Sequence, residues 1–496
     1  MIQSVKVEGW RRSLLYFLIT QAIIICLTGC GINMGESGQG NSESGQSGVE
    51  GGSNWAENAQ QTVADLATEP GDRTVLTAAV LRFDKDTLDR VYSYNEKNEQ
   101  YFVEIKEYVS EYSSGYGSAA SADDPLTQLT LDILSGKGPD LVIWGYSGYS
   151  PSAASGKLME NLYDFMEADE DFHSQDYYEN IMEAFELAGE LYILPSGFSV
   201  ETLCGQAEEI GTDRAVTESW EMGEMISAFE NSPHAQWLTM NNSNGLTFRF
   251  LCNGCIGNFV DWETGKCSFD TQAFVVLLEL SDTFPDHLTI GEDFSYYQTL
   301  QSGEVFWEPV IVTDPWKVAN QRISFGNVQL MWPGYPVADG EKELGGGVAC
   351  PYGESFSICR GSSQPEAAWD FIKSYFTEEA QREVSGIPLL RSVSEERIQE
   401  ALTVEYETAD GIKREKVKYQ IIAEGEETVG LACITEEDEE IFRSIIESTH
   451  RSYSNDSGMM DIIMEEAEAY FEKGKDAAAV ADVIQNRVSM YVSERM

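Results

Sequence analysis

A few loops concentrate the side chains that can recognise another molecule. Trp144-Gly145-Tyr146-Ser147 closes the apolar run from Asp140 to Trp144, which puts two rings and a hydroxyl at the carboxyl end of a strand, where open α/β sheets hold their ligands. The loop Met240-Asn241-Asn242-Ser243-Asn244-Gly245 supplies carboxamides, in a composition that equally makes a turn. Trp332-Pro333-Gly334-Tyr335 mounts two more rings on a stiff frame, which limits the entropy lost when a ring is covered. Rings offer flat area to apolar C–H faces, and carboxamides and hydroxyls give direction, so this mixture suits the holding of a polyhydroxylated molecule. Trp220, Trp262 and Trp369 carry less weight, because most of the 10 tryptophans in so long a chain belong in cores.

Bond-breaking chemistry has a weaker signature. The sequence holds no nucleophile elbow, no HExxH helix and no phosphate-cradling P-loop. Two carboxylates could serve a glycoside hydrolase, but 84 acidic residues create such pairs by chance, so that reading stands as the alternative without being selected. Cys252-x-x-Cys255 is half of a zinc motif, with no second close Cys or His pair to complete it and the 4 histidines scattered, which also argues against a metal-ion receptor. Cys204, Cys252, Cys255, Cys267, Cys350, Cys359 and Cys433 are odd in number, so at least one thiol stays unpaired unless two chains share a bridge. Cys252 and Cys255 read as buried thiols or a local disulfide, and no cofactor or metal is expected.

The elements that must position these loops alternate. Thr74 to Phe83 is a strand-like run, Leu88, Val91 and Tyr92 recur at helical spacing, and Tyr101, Val103 and Ile105 at strand spacing, which predicts a βαβ unit on a parallel sheet. Pro125 to Leu134 predicts a second helix, and Asp140 to Trp144 the next buried strand. Thr264-Gly265 and Asp410-Gly411 predict two hairpins, the second carrying the basic cluster Lys413, Arg414, Lys416 and Lys418, read as a solvated face. Thr435 with Asp438 predicts a capping box; Ile462, Ile463, Ala467, Tyr470 and Phe471, then Val480, Val483, Ile484, Val488 and Tyr491, predict two packed terminal helices.

The 496 residues carry 32 basic and 84 acidic side chains, a formal net charge of −52, and a surface of that sign repels phosphate and excludes nucleic acid as a partner. Lys6, Arg11 and Arg12 precede an apolar stretch, Ser13 to Leu27, that ends in Leu27-Thr28-Gly29-Cys30. This order resembles the signal peptide and lipobox of bacterial lipoproteins, which implies that residues 1–29 are removed and that Cys30 is lipidated. From Gly31 to Asn54, 8 of the 24 residues are Gly and 5 are Ser. Such a stretch reads as a flexible tether with a root-mean-square reach of roughly 27 Å.

The ordered strings Leu134–Val142 (LSGKGPDLV), Gly189–Pro195 (GELYILP), Ala367–Ala380 (AAWDFIKSYFTEEA) and Ala481–Arg495 (ADVIQNRVSMYVSER) resemble family 1 extracellular solute-binding proteins, the sugar-capturing subunits of ABC importers. The resemblance implies an α/β, periplasmic-binding-protein-like (type II) fold, two lobes with a hinge and a central cleft. It places residues 73–199 with 346–391 in lobe 1, residues 200–345 with 392–496 in lobe 2, and residues 30–72 in the lipidated tether. Crossings are expected near Ser196 to Glu201, Gly345 to Pro351 and Leu390. It implies a non-enzymatic, monomeric receptor on the outer face of the cell membrane, with a carbohydrate ligand and permease subunits as partners; a receptor for a peptide or another non-sugar solute is the remaining alternative. Carried onto this chain, the resemblance puts ligand contacts at Trp144, Glu201, Trp332 and Tyr335; residue type and loop position add Tyr146, Ser147 and Asn242, with Tyr453 as a third-wall ring. Ser147 and Gly148 stand where maltose-binding relatives place a charged pair, which points away from the same ligand, and Glu201 lies two residues beyond the usual spacing of the acidic contact.

Overall fold

A computed structural model describes residues 69–81, 85–108, 123–145, 155–240, 243–287, 295–408, 411–421, 430–453 and 456–495. They belong to one unit, Thr68–Val109 with Ala122–Met496; the other unit, Met1–Ala67 with Ser110–Ser121, lies outside the described residues, and with it the signal peptide, Cys30 and the tether. In chain order the strands are β1 (Thr74–Val80), β2 (Tyr101–Glu107), β3 (Leu141–Trp144), β4 (Leu194–Pro195), β5 (Gly197–Gln206), β6 (Val260–Asp261), β7 (Lys266–Cys267) and β8 (Glu308–Val312). They continue with β9 (Leu330–Met331), β10 (Val348–Pro351), β11 (Ser355–Ile358), β12 (Ile387–Pro388), β13 (Thr403–Thr408), β14 (Gly411–Lys416), β15 (Tyr419–Ile421) and β16 (Gly430–Ala432).

The first sheet has the order β2-β1-β3-β11-β4, with β1 parallel to both β2 and β3, so the predicted βαβ unit is present with the helix Lys85–Lys97 as its crossover. All four residues of β3 are buried, as an uninterrupted apolar run in a covered parallel strand requires. Asp140 anchors this strand. Its Oδ2 accepts from the Thr77 backbone N–H at 2.7 Å and the Thr77 hydroxyl at 3.0 Å, and its Oδ1 accepts from the Ser362 hydroxyl at 2.6 Å. The acid of the Gly-Pro-Asp string therefore ties β1 and the turn after β11 to the start of β3.

The second sheet is built on β5. It pairs antiparallel with β10 (Val348 opposite Glu201), β12 (Ile387 opposite Phe198), β8 (Ile311 opposite Glu201) and β9 (Met331 opposite Gly205). The three segments expected to cross between lobes are thus neighbours in one sheet. Alternation along β5 then separates two cores: Phe198, Val200 and Cys204 enter the first, and Leu203 the second. The first core also takes in Val310, Val312, Trp332, Phe442 and Ile446, and the second holds Trp220, Phe306, Trp307 and the terminal helices.

The later elements follow their local signals. The β6–β7 and β13–β14 hairpins pair around the expected turns. Thr435 and Asp438 form a reciprocal capping box, and Asp438, buried at that end, receives both Nε and Nη2 of Arg322 at 2.8 and 2.9 Å. Ser457–Phe471 and Ala477–Arg495 are the terminal helices, with Ile463, Ala467, Val480, Ile484 and Val488 buried between and beneath them.

Glu308 on β8 is a costly member of this sheet. Its Oε1 accepts from the Tyr296 hydroxyl at 2.6 Å, its Oε2 is buried without a partner among the described residues, and burial pushes the carboxyl up to about 7. Between the ordinary carboxylate value and about 7 the folded chain keeps a proton that the unfolded chain has released, so stability falls as pH rises through that window and stays low above it. Glu308→Gln, which never ionises, is expected to raise the melting temperature over the parent near pH 8 and to change it little near pH 5. Melting curves at both pH values check this, and an equal shift at both would contradict it.

Candidate functional site

The face of β5 that carries Leu203 also carries Glu201. Antiparallel register places Val348 of β10 directly opposite it and Cys350 on the neighbouring diagonal of the same face. The Cys350 thiol donates to the Val348 carbonyl oxygen at 3.8 Å, on the strand face that it shares with Glu201. Both residues are partly exposed. Burial of the carboxyl group raises Glu201 above the ordinary carboxylate range, and burial together with the Glu201 charge raises the Cys350 thiol.

Two tyrosines approach this pair from distant parts of the chain. The Tyr335 backbone N–H donates to Gly346 O at 2.8 Å, and Trp220 Nε1 donates to Gly334 O at 2.9 Å, which fixes the Trp-Pro-Gly-Tyr loop against the strand that leads into β10. Gly334 has φ +68°, and a Cβ there would stand 2.2 Å from Gly346 O, so only glycine permits this approach. The Tyr335 ring lies on Gly254 of the helix Asn244–Cys255, where an added Cβ would come within 1.9 Å of it, and the Phe250 ring is 5.6 Å away. Burial, with Glu201, Cys255, Tyr453 and Cys350 nearby, pushes the Tyr335 phenol upward. Tyr453 donates its backbone N–H to Ala349 O at 2.8 Å, between Val348 and Cys350. Arg451 Nη2 donates to Tyr335 O at 3.0 Å and Gly346 O at 3.3 Å, a backbone clamp whose Nε is buried without a partner among the described residues.

Tyr335 and Tyr453 come near the strand pair that carries Glu201, with the Tyr335 ring buried in the second core, and Cys350, which sequence reasoning passed over, shares the Glu201 face. The signal for Cys350 was its place two residues beyond Val348 in the return crossing, which puts it on the same strand face. Tyr146, Ser147 and Asn242 lie outside the described residues. Trp144 and Trp332 differ from the expectation of open rings. Trp144 is 0% exposed, and its Nε1 donates to Ser357 Oγ at 2.7 Å, which in turn donates to Tyr192 O at 2.6 Å, so its ring is spent on joining β3 to β11. Trp332 is buried in the first core, and its indole N–H has no partner among the described residues. Cys252 and Cys255 are buried free thiols. Cavities of about 530, 240 and 590 Å³ are lined by other residues, around Arg322 and Glu436, Asp314 and Arg397, and Asn244 and Glu468.

Two cores on opposite faces of one sheet define a two-lobed α/β architecture. The chain belongs to the bacterial extracellular solute-binding proteins, whose family model matches residues 117–407, more than half of its length. Among solved structures it is similar to a periplasmic oligogalacturonide binding protein from Yersinia enterocolitica, at 13% identity and a TM-score of 0.50 over 85% of this chain and 100% of that one. It is also similar to the sugar-binding protein MalE from Xanthomonas citri, at 13% identity and a TM-score of 0.49 over 85% of this chain and 98% of that one. An extracellular solute-binding protein family 1 from Alicyclobacillus acidocaldarius aligns at 12% identity and a TM-score of 0.47, over 86% and 100% of the two chains. No curated protein matches the sequence.

Trp144→Phe removes the bond to Ser357 and leaves a void where the second ring of the buried indole stood. It is expected to lower the unfolding free energy by about 2–3 kcal/mol, read from urea unfolding; an unchanged transition would show that neither the indole N–H nor its packing supports β3.

Proposed function

We propose that this chain is a lipid-anchored receptor on the outer face of the cell that captures a carbohydrate, does not transform it, and presents it to the permease of an ABC transporter. The observation that carries the reading is the convergence of Glu201, Tyr335 and Tyr453 on the sheet where the three crossings meet. Residues 73–199 with 346–391 and residues 200–345 with 392–496 serve as the two lobes, and bending at β5, β10 and β12 opens and closes the site between them. The Tyr335 ring is packed inside the second core, so its part in the reading is to shape the wall beside Glu201. A carboxyl and two phenolic hydroxyls offer directional partners to sugar hydroxyls, and the rings offer area to C–H faces. Tyr146, Ser147 and Asn242, in the loops beyond β3 and before the helix Asn244–Cys255, complete the proposed contacts. The names of the sugar-binding structures support the carbohydrate class.

A thermal-shift screen of neutral mono- and oligosaccharides is expected to find one that raises the melting temperature without product accumulating. Glu201→Gln should weaken its capture about tenfold, the loss expected for a hydrogen bond to a charged group. Turnover of a glycan, abolished by changing one carboxylate, would replace the receptor reading with a hydrolase. The anchor has its own check: Cys30→Ser is expected to move the protein from the membrane fraction to the soluble one, and unchanged fractionation would remove the lipid from the account.

A further inference from the structure

We propose that the cavity between Asp314 and Arg397 is a second binding site, separate from the one around Glu201, and that it takes an α-amino acid with an apolar side chain. The cavity measures about 240 Å³. Pockets for drug-sized molecules run to roughly 300–1,000 Å³, so an occupant of this one is of amino-acid size. Three of the stretches that pair with β5 supply its walls: Thr313 and Asp314 follow β8, Tyr352 follows β10, and Ile387 and Pro388 are β12. Gly386 has φ +72°, and a Cβ there would stand 2.8 Å from Tyr352 Cδ1, so the ring of one crossing lies against the glycine of another. The helix Arg391–Leu402 closes the far side with Ser394, Arg397 and Ile398, and Phe442 comes from the helix Glu436–Glu447. Ile387 stands opposite Phe198 in register, and Ile387, Ile398 and Phe442 share the first core with Phe198 and Val200. The cavity therefore lies on the face of β5 turned away from Glu201.

The lining sets the chemistry of the occupant. Arg397 Nη1 donates to Gly386 O at 2.8 Å, and Nη2 donates to the Gln381, Arg382 and Val384 carbonyls at 3.3, 2.8 and 2.6 Å. Those bonds hold the guanidinium in place and leave Nε and one N–H of Nη1 without an acceptor among the described residues. Its acceptors are all neutral carbonyls, so the positive charge has no ion-pair partner there, and burial pulls its pKa below the ordinary guanidinium value. Asp314 stands on the other wall. Its Oδ1 accepts from the Trp316 backbone N–H and its Oδ2 from the Thr313 hydroxyl, both at 2.9 Å, and each oxygen keeps a second lone pair. A fixed guanidinium and a fixed carboxylate in one cavity, paired with neutral groups and not with each other, match a carboxylate and an ammonium on the same small molecule. Between the two charges Ile387, Ile398, Phe442 and Pro388 are buried and apolar, which suits a hydrocarbon side chain.

Calorimetric titration of leucine into the full-length protein is expected to show one saturable site per chain. 4-Methylpentanoate lacks the ammonium, leucinamide the carboxylate and glycine the apolar body; each is expected to bind at least about tenfold more weakly than leucine. Asp314→Asn keeps an acceptor for the Trp316 N–H and removes the charge, so leucine should weaken about tenfold while 4-methylpentanoate does not weaken. Glu201→Gln should leave leucine within about twofold of the parent. Absence of leucine binding overturns the proposal, as does 4-methylpentanoate or leucinamide bound as tightly as leucine. Leucine weakened by Glu201→Gln and not by Asp314→Asn would put the amino acid at the other site and overturn it too. The three leucine analogues are titrated into the parent, so the decision survives a variant that fails to fold. Failure of every sugar to bind would end the carbohydrate reading and leave this site standing.

Discussion

Backbone pairing along β5 is the constraint on which the rest of the structure depends. Ten residues of one strand receive partners from β8, β9, β10 and β12, so four later stretches of chain are registered against a single earlier one. That registration decides which side chains share a face. It sets Val348 against Glu201, brings Cys350 onto the diagonal, and carries the Gly345–Gly347 stretch to where Tyr335 and Arg451 can bond to its carbonyls. A slip of one residue would turn Glu201 towards the first core and Val200 towards the second, exchanging a charge for an apolar contact on both sides. The alternation of apolar side chains around Glu201 therefore protects the site geometry as well as the packing.

The electrostatics of the junction follow from the same arrangement. Glu201 and Glu308 both stand on paired strands of the crossing sheet, and burial raises both. They differ in surroundings. Glu308 Oε1 accepts from the Tyr296 hydroxyl, and its Oε2 is buried without a partner among the described residues, a local cost to stability. Glu201 is partly exposed, on the strand face that it shares with Cys350 and near the Tyr335 phenol. Arg451 Nη2 donates to the carbonyls of Tyr335 and Gly346 and so shapes the wall through the backbone.

Much of the fold was legible in the sequence because its elements declare themselves locally. β3 is an unbroken apolar run, the helix Ser457–Phe471 keeps its stripe, and Thr435 with Asp438 states a helix start in four residues. The strings that resemble the solute-binding family also sit on such elements, which is why they survive as strings. The site was legible in part. Glu201 and Tyr335 could be named because they lie beside recognisable segments, but their meeting with Cys350 and Tyr453 is a product of long-range register that no window of sequence contains. Trp144 shows the converse limit: its position at the end of a strand was plain, whereas the direction of its ring is set by Ser357, on a strand that arrives much later in the chain. A ring at a strand end looks the same in sequence whether it faces a guest or a neighbouring strand.

The division of β5 between two cores has a mechanical meaning. Val200 and Leu203, three residues apart, are gripped by different interiors, so neither half of the molecule owns the strand and neither can melt while the other keeps its packing. Heat or denaturant should therefore dissolve both interiors in a single cooperative step.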